Sequence, residues 1–246
     1  MASKNPLKKF WLDRFGKLPE NFSCPYGNQN TTKFPTIISC SQHVFTNPQD
    51  WPDHIYNTGY WFLDEEPDWV PPQALVNFLH QGPPPVYVGF GSVTDANLAK
   101  ETLQLVIDGL RRAGCRGVLS LGGKTEKFNA EDIFILDDIP HSWLFSHMSV
   151  VIHHGGAGTT AAGFRAGVPS VIIPHSNDQF AWGKRVFELG VGSKPIPRKK
   201  LTSEGLAAAI RYASQDEVRK AATDLGKKIQ SENGAEQAAN IILDIF

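Results

Sequence analysis

The residues of this 246-residue chain best suited to chemistry lie between Val150 and Gln179, in VVIHHGGAGTTAAGFRAGVPSVIIPHSNDQ. They fall into two groups. His154, Gly156, Ala157, Gly158 and Thr159 sit in and just after a glycine-rich turn, and Asp178 and Gln179 follow the next apolar run. A turn that opens a helix after a strand leaves backbone N–H groups unpaired beside the positive end of the helix dipole. Gly155, Gly156 and Gly158 let such a backbone approach an anion with no Cβ in the way, while His154 and Thr159 add side-chain donors. That combination makes a phosphate cradle, and a carboxylate with an amide nearby suits hydroxyl groups. Together they fit a phosphorylated, hydroxyl-rich ligand such as a nucleotide sugar. The His153-His154 pair does not read as a metal site. Adjacent strand residues point to opposite faces, and no Cys or carboxylate recurs at ligand spacing.

The elements that must position these groups follow from the apolar pattern. A strand is expected at 149–152, a helix from about 159 to 166 stopped by Gly167 and Pro169, and a further strand at 170–173. A crossover to a parallel neighbour brings the residues after Ile173 out on the same sheet edge as His154. Earlier strands are expected at 86–90, ending in Gly91-Ser92, at 117–121, ending in Gly122-Gly123, and at 133–136, followed by Ile139 and His141. Helical spacing covers 97–113, a short turn around 143–146, and then 179–189, 203–213, 216–231 and 235–246. This alternation predicts an α/β fold with a doubly wound parallel sheet. Every polar candidate lies just beyond the carboxyl end of an expected strand, where open α/β sheets form their ligand crevice. The first of these turns, residues 89–94, lacks the third glycine of a dinucleotide fingerprint.

The remainder is less specific. Residues 4–16 are expected to form a short helix with Leu7, Phe10, Trp11, Leu12 and Phe15 near one face, followed by a turn-rich loop over 18–36 and a strand at 36–41. The Pro- and Trp-rich stretch 47–72 reads as a linker passing over a surface. Ala235, Ala238, Ala239, Ile242 and Ile245 form a stripe at helical spacing that reads as a buried packing face. The chain is long enough for one α/β domain plus an appendage. Its 25 acidic and 24 basic residues leave no electrostatic footprint for nucleic acid. Cys24, Cys40 and Cys115 form no CxxC and fit a reducing, cytoplasmic setting. No run of about 18 apolar residues occurs, so nothing reads as a membrane span. The acceptor patterns at Asn21 and Asn30 lack a secretory signal beside them.

With those residues assembled, the chain resembles the carboxyl-terminal half of a UDP-sugar-dependent glycosyltransferase of the two-domain GT-B fold. It is most similar to the branch holding sterol 3-beta-glucosyltransferases and the vancomycin-type enzymes. The likeness is carried by TGYWFL (58–63), GPPPVYVGFGS (82–92), IPHSWLF (139–145), HHGGAGTT (153–160), RAGVPSVIIP (165–174) and DQFAWGKRV (178–186). It implies a Rossmann-like donor domain over 61–232, a remnant of the acceptor domain and interdomain linker over 1–60, and a terminal helix at 233–246 packing back toward the acceptor side.

The resemblance further implies that Gly91, Ser92, His154 and the backbone of Gly156, Ala157, Gly158 and Thr159 hold the diphosphate. Ile139 and His141 would meet the uracil, and Asp178 and Gln179 the sugar hydroxyls. Where plant members of the wider family carry a ribose-binding Glu, this chain has Ala162, so no residue is assigned to the ribose. The implied reaction is inverting transfer of a hexose to a sterol, lipid or other aglycone hydroxyl, with the UDP-sugar as donor substrate and neither metal nor cofactor. The general base would reside in an amino-terminal domain, and no catalytic residue is named here. Two arrangements follow. Either the chain is an enzyme, peripheral to membranes through its lipid-like acceptor, or it is a donor-binding half or subunit that needs a separate acceptor domain. A nucleotide-binding α/β protein without transferase activity is the third reading.

Overall fold

Strands buried on both faces must be apolar along their whole length, and helices must cover both sides of the sheet they form. The computed structural model describes residues 4–18, 35–64, 68–89, 96–120, 130–136, 139–176 and 178–245. By internal contacts the chain divides into two units, Met1–Ile38 with Asn47–Asn57, and Ser39–Thr46 with Thr58–Phe246.

The first unit holds α1 (Lys4–Phe15), β1 (Thr36–Ile38) and β2 (Ile55–Asn57). In α1, Trp11 and Phe15 lie with ring centroids 4.6 Å apart, and Leu12 and Phe15 are exposed. β1 and β2 pair in parallel, Thr36 opposite Ile55, and the Thr36 N–H donates to the His54 carbonyl at 2.8 Å. The expected linker over 47–72 is therefore corrected: it contains a strand, whose three residues are too few to show a period.

In the second unit β3 (Val86–Gly89), β4 (Gly117–Ser120), β5 (Ile133–Leu136), β6 (Val150–His153) and β7 (Ser170–Ile172) form one all-parallel sheet in the order β5-β4-β3-β6-β7. Around it run α2 (Gln73–His80), α3 (Ala96–Ala113), α4 (His141–Leu144) with a 3-10 turn Phe145–His147, α5 (Ala157–Ala166), α6 (Asp178–Glu188), α7 (Ser203–Ala213), α8 (Asp216–Gln230) and α9 (Gly234–Ile245). The sequence reading passes over α2, whose eight residues stand directly behind Pro71-Pro72 yet bury Leu75 and Phe78. Alternation along the strands divides the core. Val86, Val88, Val150 and Ile152 pack on α3 and α7 through Ile107, Leu110, Leu206 and Ile210, while Tyr87, Val118 and Val151 pack on α2 and α4 through Leu75, Leu144 and Phe145. Each such fully buried Leu or Ile contributes roughly 1.5–3 kcal/mol. The α3–α7 contact is close: a methyl group on Gly109 would come within 2.8 Å of Leu206 Cδ2, so Gly109→Ala would require the Leu206 side chain to shift.

The doubly wound sheet is thus present, and its order sets the site. From β3 the chain winds outward through β4 and β5, then returns to β6 beside β3 and winds the other way. The carboxyl ends of β3 and β6 adjoin at this switch point, Gly89 opposite His153. The terminal stripe is corrected. On α9 Ala238 is buried, but Ala235 and Ala239 are exposed and Ile242 is 47% exposed, because helical spacing identifies a stripe without supplying what covers it. Among the described residues no helix is long and apolar enough to cross a membrane.

Candidate functional site

The turn after β6 is built from glycine for geometric reasons. Gly155 has φ +92°, a region costly for a side chain, and a methyl group there would come within 2.7 Å of Ile172 Cγ2 and 3.1 Å of the Gln179 carbonyl oxygen. The Gly155 N–H donates to His153 Nδ1 at 3.1 Å. Gly156 then stands extended at φ −63°, ψ 142° as the residue before α5, and no side chain caps this helix end. The first helical bond runs from the Thr160 N–H to the Gly156 carbonyl at 2.9 Å, so the amides of Ala157, Gly158 and Thr159 precede the helical ladder. Ala157 and Gly158 are exposed and Thr159 is partly so. The Thr160 hydroxyl bonds back to the Gly156 carbonyl at 2.8 Å and is structural. Helix α5 therefore begins two residues earlier than the spacing predicts, because Ala157 and Gly158 at the end of the turn enter the helix.

His154 is half-buried at the mouth of this helix: a Cβ on Gly156 would lie 2.6 Å from its Nε2. Burial lowers the His154 pKa while the Asp178 carboxylate raises it, with the net shift downward. The neutral ring offers one N–H to a ligand. Across the gap Asp178 opens α6, and the Gln179 carboxamide oxygen accepts the N–H groups of His175 at 2.8 Å and Ser176 at 3.2 Å. That fixes the Gln179 side chain and leaves its NH2 group as the part suited to an acceptor oxygen. His154 and His175 lie with ring centroids 6.4 Å apart. Burial, then Arg198 and His154, lower the His175 pKa. The expectation that the two polar groups share one sheet edge therefore holds: Gly155 packs against Gln179, and His154 feels Asp178.

His141 stands on the flank of this edge at the start of α4. Its ring stacks on Phe145 at 4.4 Å and 18°, and its Nε2 lies 3.4 Å from the Tyr87 hydroxyl. Ile139 is buried beside it. A cleft of about 760 Å³ opens here between His141, Ser142, Ala162, Arg165 and Trp69, bordered by the ion pair of Arg165 with Asp64. Gly91, Ser92, Gly122 and Gly123 lie outside the described residues. Among the described residues no group of three or more His, Cys, Asp or Glu is placed to hold a metal ion.

Sequence reasoning weighed His153 only as half of a metal pair. It is fully buried, and burial first, then His154 and His141, push its pKa down to about 3. The signal for it was its place at the last position of a strand whose other residues are all apolar.

The parallel sheet and its flanking helices make a Rossmann-like α/β fold of the GT-B type. Residues 127–244 match the family described as erythromycin biosynthesis protein CIII-like, C-terminal domain, and the chain is similar in sequence to the sterol 3-beta-glucosyltransferases. It is 37% identical over 223 residues to sterol 3-beta-glucosyltransferase UGT80B1 of Arabidopsis thaliana, covering 89% of this chain and 36% of that protein. It is 41% identical over 227 residues to a sterol 3-beta-glucosyltransferase of Neosartorya fischeri, covering 85% of this chain and 16% of that protein. The chain therefore spans about a third or less of these relatives. The solved structure of the calicheamicin glycosyltransferase CalG4 superposes with a TM-score of 0.68 at 19% identity, over 99% of this chain and 57% of that one, a likeness of fold.

Proposed function

We propose that this chain is the donor-binding half of a UDP-glucose-dependent glucosyltransferase acting with inversion on a sterol or similar lipid hydroxyl. The observation that carries the reading is the uncapped start of α5 at the sheet's switch point, led by a turn whose Gly155 packs against Gln179 and whose His154 feels the Asp178 carboxylate. In this reading the amides of Ala157, Gly158 and Thr159, with His154, Gly91 and Ser92, receive the diphosphate. The nucleoside runs toward Ile139 and His141, and Asp178 and the Gln179 amide receive the hexose hydroxyls. As the acceptor hydroxyl attacks the anomeric carbon and the bond to UDP breaks, negative charge grows on the leaving diphosphate. Fixed amides at a helix start stabilise that charge, and loss of one comparable donor costs roughly 10²–10³ in rate. The general base belongs to the acceptor domain in this scheme, and no metal or cofactor enters it. The relatives named as sterol glucosyltransferases support the acceptor class.

Titration calorimetry tests the reading. The chain should bind UDP and UDP-glucose in preference to ATP. His154→Ala should weaken both uridine ligands, and Asp178→Ala should weaken UDP-glucose more than UDP, each by about tenfold, the loss of roughly one hydrogen bond to a charged or fixed group. No affinity for UDP would remove it.

A second reading, a half that is inactive without a separate acceptor domain at the membrane surface, draws support from Ile242 and Leu243 on α9, the latter 75% exposed. Glucosylation of a sterol by the isolated chain would argue against it.

A further inference from the structure

We infer that His153 is a positioning residue for the anion cradle: its Nδ1 accepts the Gly155 N–H and holds the left-handed turn that aims the open amides of α5, without touching the ligand itself. The inference rests on the nucleotide reading above for its consequence, but its geometry stands independently.

Three observations converge. The Nδ1 to Gly155 N distance is 3.1 Å, and the ring is wholly buried, so it cannot swing toward the solvent edge where His154 lies. Gly155 at φ +92° is held on its other side by Ile172 and Gln179, so the imidazole closes the remaining side of a fixed turn. No side chain caps α5, so this bond, one residue upstream of Gly156, tethers the helix start through an amide, as the Thr160 hydroxyl does through the Gly156 carbonyl. Because Nδ1 accepts, the ring proton must reside on Nε2, and that atom has no hydrogen-bond partner among the described residues. The imidazole is therefore kept in place by its acceptor nitrogen. Protonation would set two N–H groups against each other at Gly155. The groups that bear on its charge, His154 and His141, both oppose protonation, in keeping with its depressed pKa.

The test separates the two ring nitrogens. Asparagine puts an oxygen where Nδ1 stands, whereas glutamine puts one near Nε2 and leucine supplies none. With the whole chain, UDP and uridine are titrated calorimetrically into H153N, H153Q and H153L, and the exchange of the Gly155 amide is followed by NMR. H153N should keep the UDP affinity and the protected amide. H153Q and H153L should expose the Gly155 amide and lose about tenfold or more in UDP affinity, the equivalent of one well-made hydrogen bond, with uridine binding unchanged. A Gly155 amide still protected in H153L would overturn the inference whatever the chain binds. Equal losses of UDP and uridine in all three variants would also overturn it. A wild-type chain that binds no UDP sinks the nucleotide reading alone, and the amide then still decides the role of His153.

Discussion

Two helices of the second unit begin alike and are finished differently. Thr202 and Gly156 both stand extended before their helices, at φ −132°, ψ 158° and φ −63°, ψ 142°. At α7 the Thr202 hydroxyl accepts the Gly205 N–H at 3.1 Å, and Glu204 adds an acid in the first turn. Helix α8, which lacks a side-chain cap, carries Asp216 and Glu217 in its first turn. Helix α5, like α2 and α4, has neither cap nor acid, and it starts with two small exposed residues at the carboxyl edge of the sheet. At α7 and α8 a hydroxyl or carboxylates of the chain itself meet the helix start, whereas the start of α5 is left open to something anionic.

The sharpest way to break the comparison is to finish α5 as the others are finished. A Cβ on Gly158 meets nothing within 4 Å, so Gly158→Asp fits and places a carboxylate at the helix start. Thermal melts should find the variant no less stable, gaining about 0.3–1 kcal/mol from the dipole, while calorimetry should find UDP affinity down about 100-fold, the scale of a lost fixed-donor site. Unchanged UDP binding would mean the open amides are not the anion site.

Next in size is an acid effect centred on the same turn. The folded-state pKa of His153 lies below its ordinary 6.5, at about 3. The unfolded chain therefore binds more protons between those values, and stability present above pH 6.5 should be lost progressively as the pH falls toward 3. Denaturant midpoints across that range should flatten in H153N relative to the wild type. Parallel curves would place the acid sensitivity elsewhere. The smallest effect belongs to the finished helix. Thr202→Ala should cost about 1 kcal/mol of stability with UDP affinity unchanged, and a matching loss of affinity would contradict the separation of roles.

Much of this was legible in the residues. The apolar run 133–136 and the helical spacing over 203–213 coincide with β5 and α7, and the strand-turn-helix rhythm gives the doubly wound sheet, because buried parallel strands and amphipathic helices carry strong periodic signals. The open turn was legible because glycines at 155, 156 and 158 interrupt the apolar pattern between a buried strand and the helix that follows. What escaped lacked a period or depended on partners distant in sequence. β2 is three residues long, α2 hides behind Pro71-Pro72, and Ala235, Ala239 and Ile242 of the α9 stripe are exposed. The Nδ1 bond of His153 and the two amides that fix Gln179 appear only once the turn is folded.

The central claim is that the open amides at the start of α5 receive a diphosphate while α6 faces it. Titration of the isotope-labelled chain with UDP, followed by amide NMR, tests this most directly. The account predicts that the Ala157, Gly158 and Thr159 amides move furthest, with the Gln179 side-chain NH2 responding further when UDP-glucose replaces UDP. Saturable shifts confined to other surfaces, such as the cleft beside Arg165 and Trp69, with those three amides still, would contradict it.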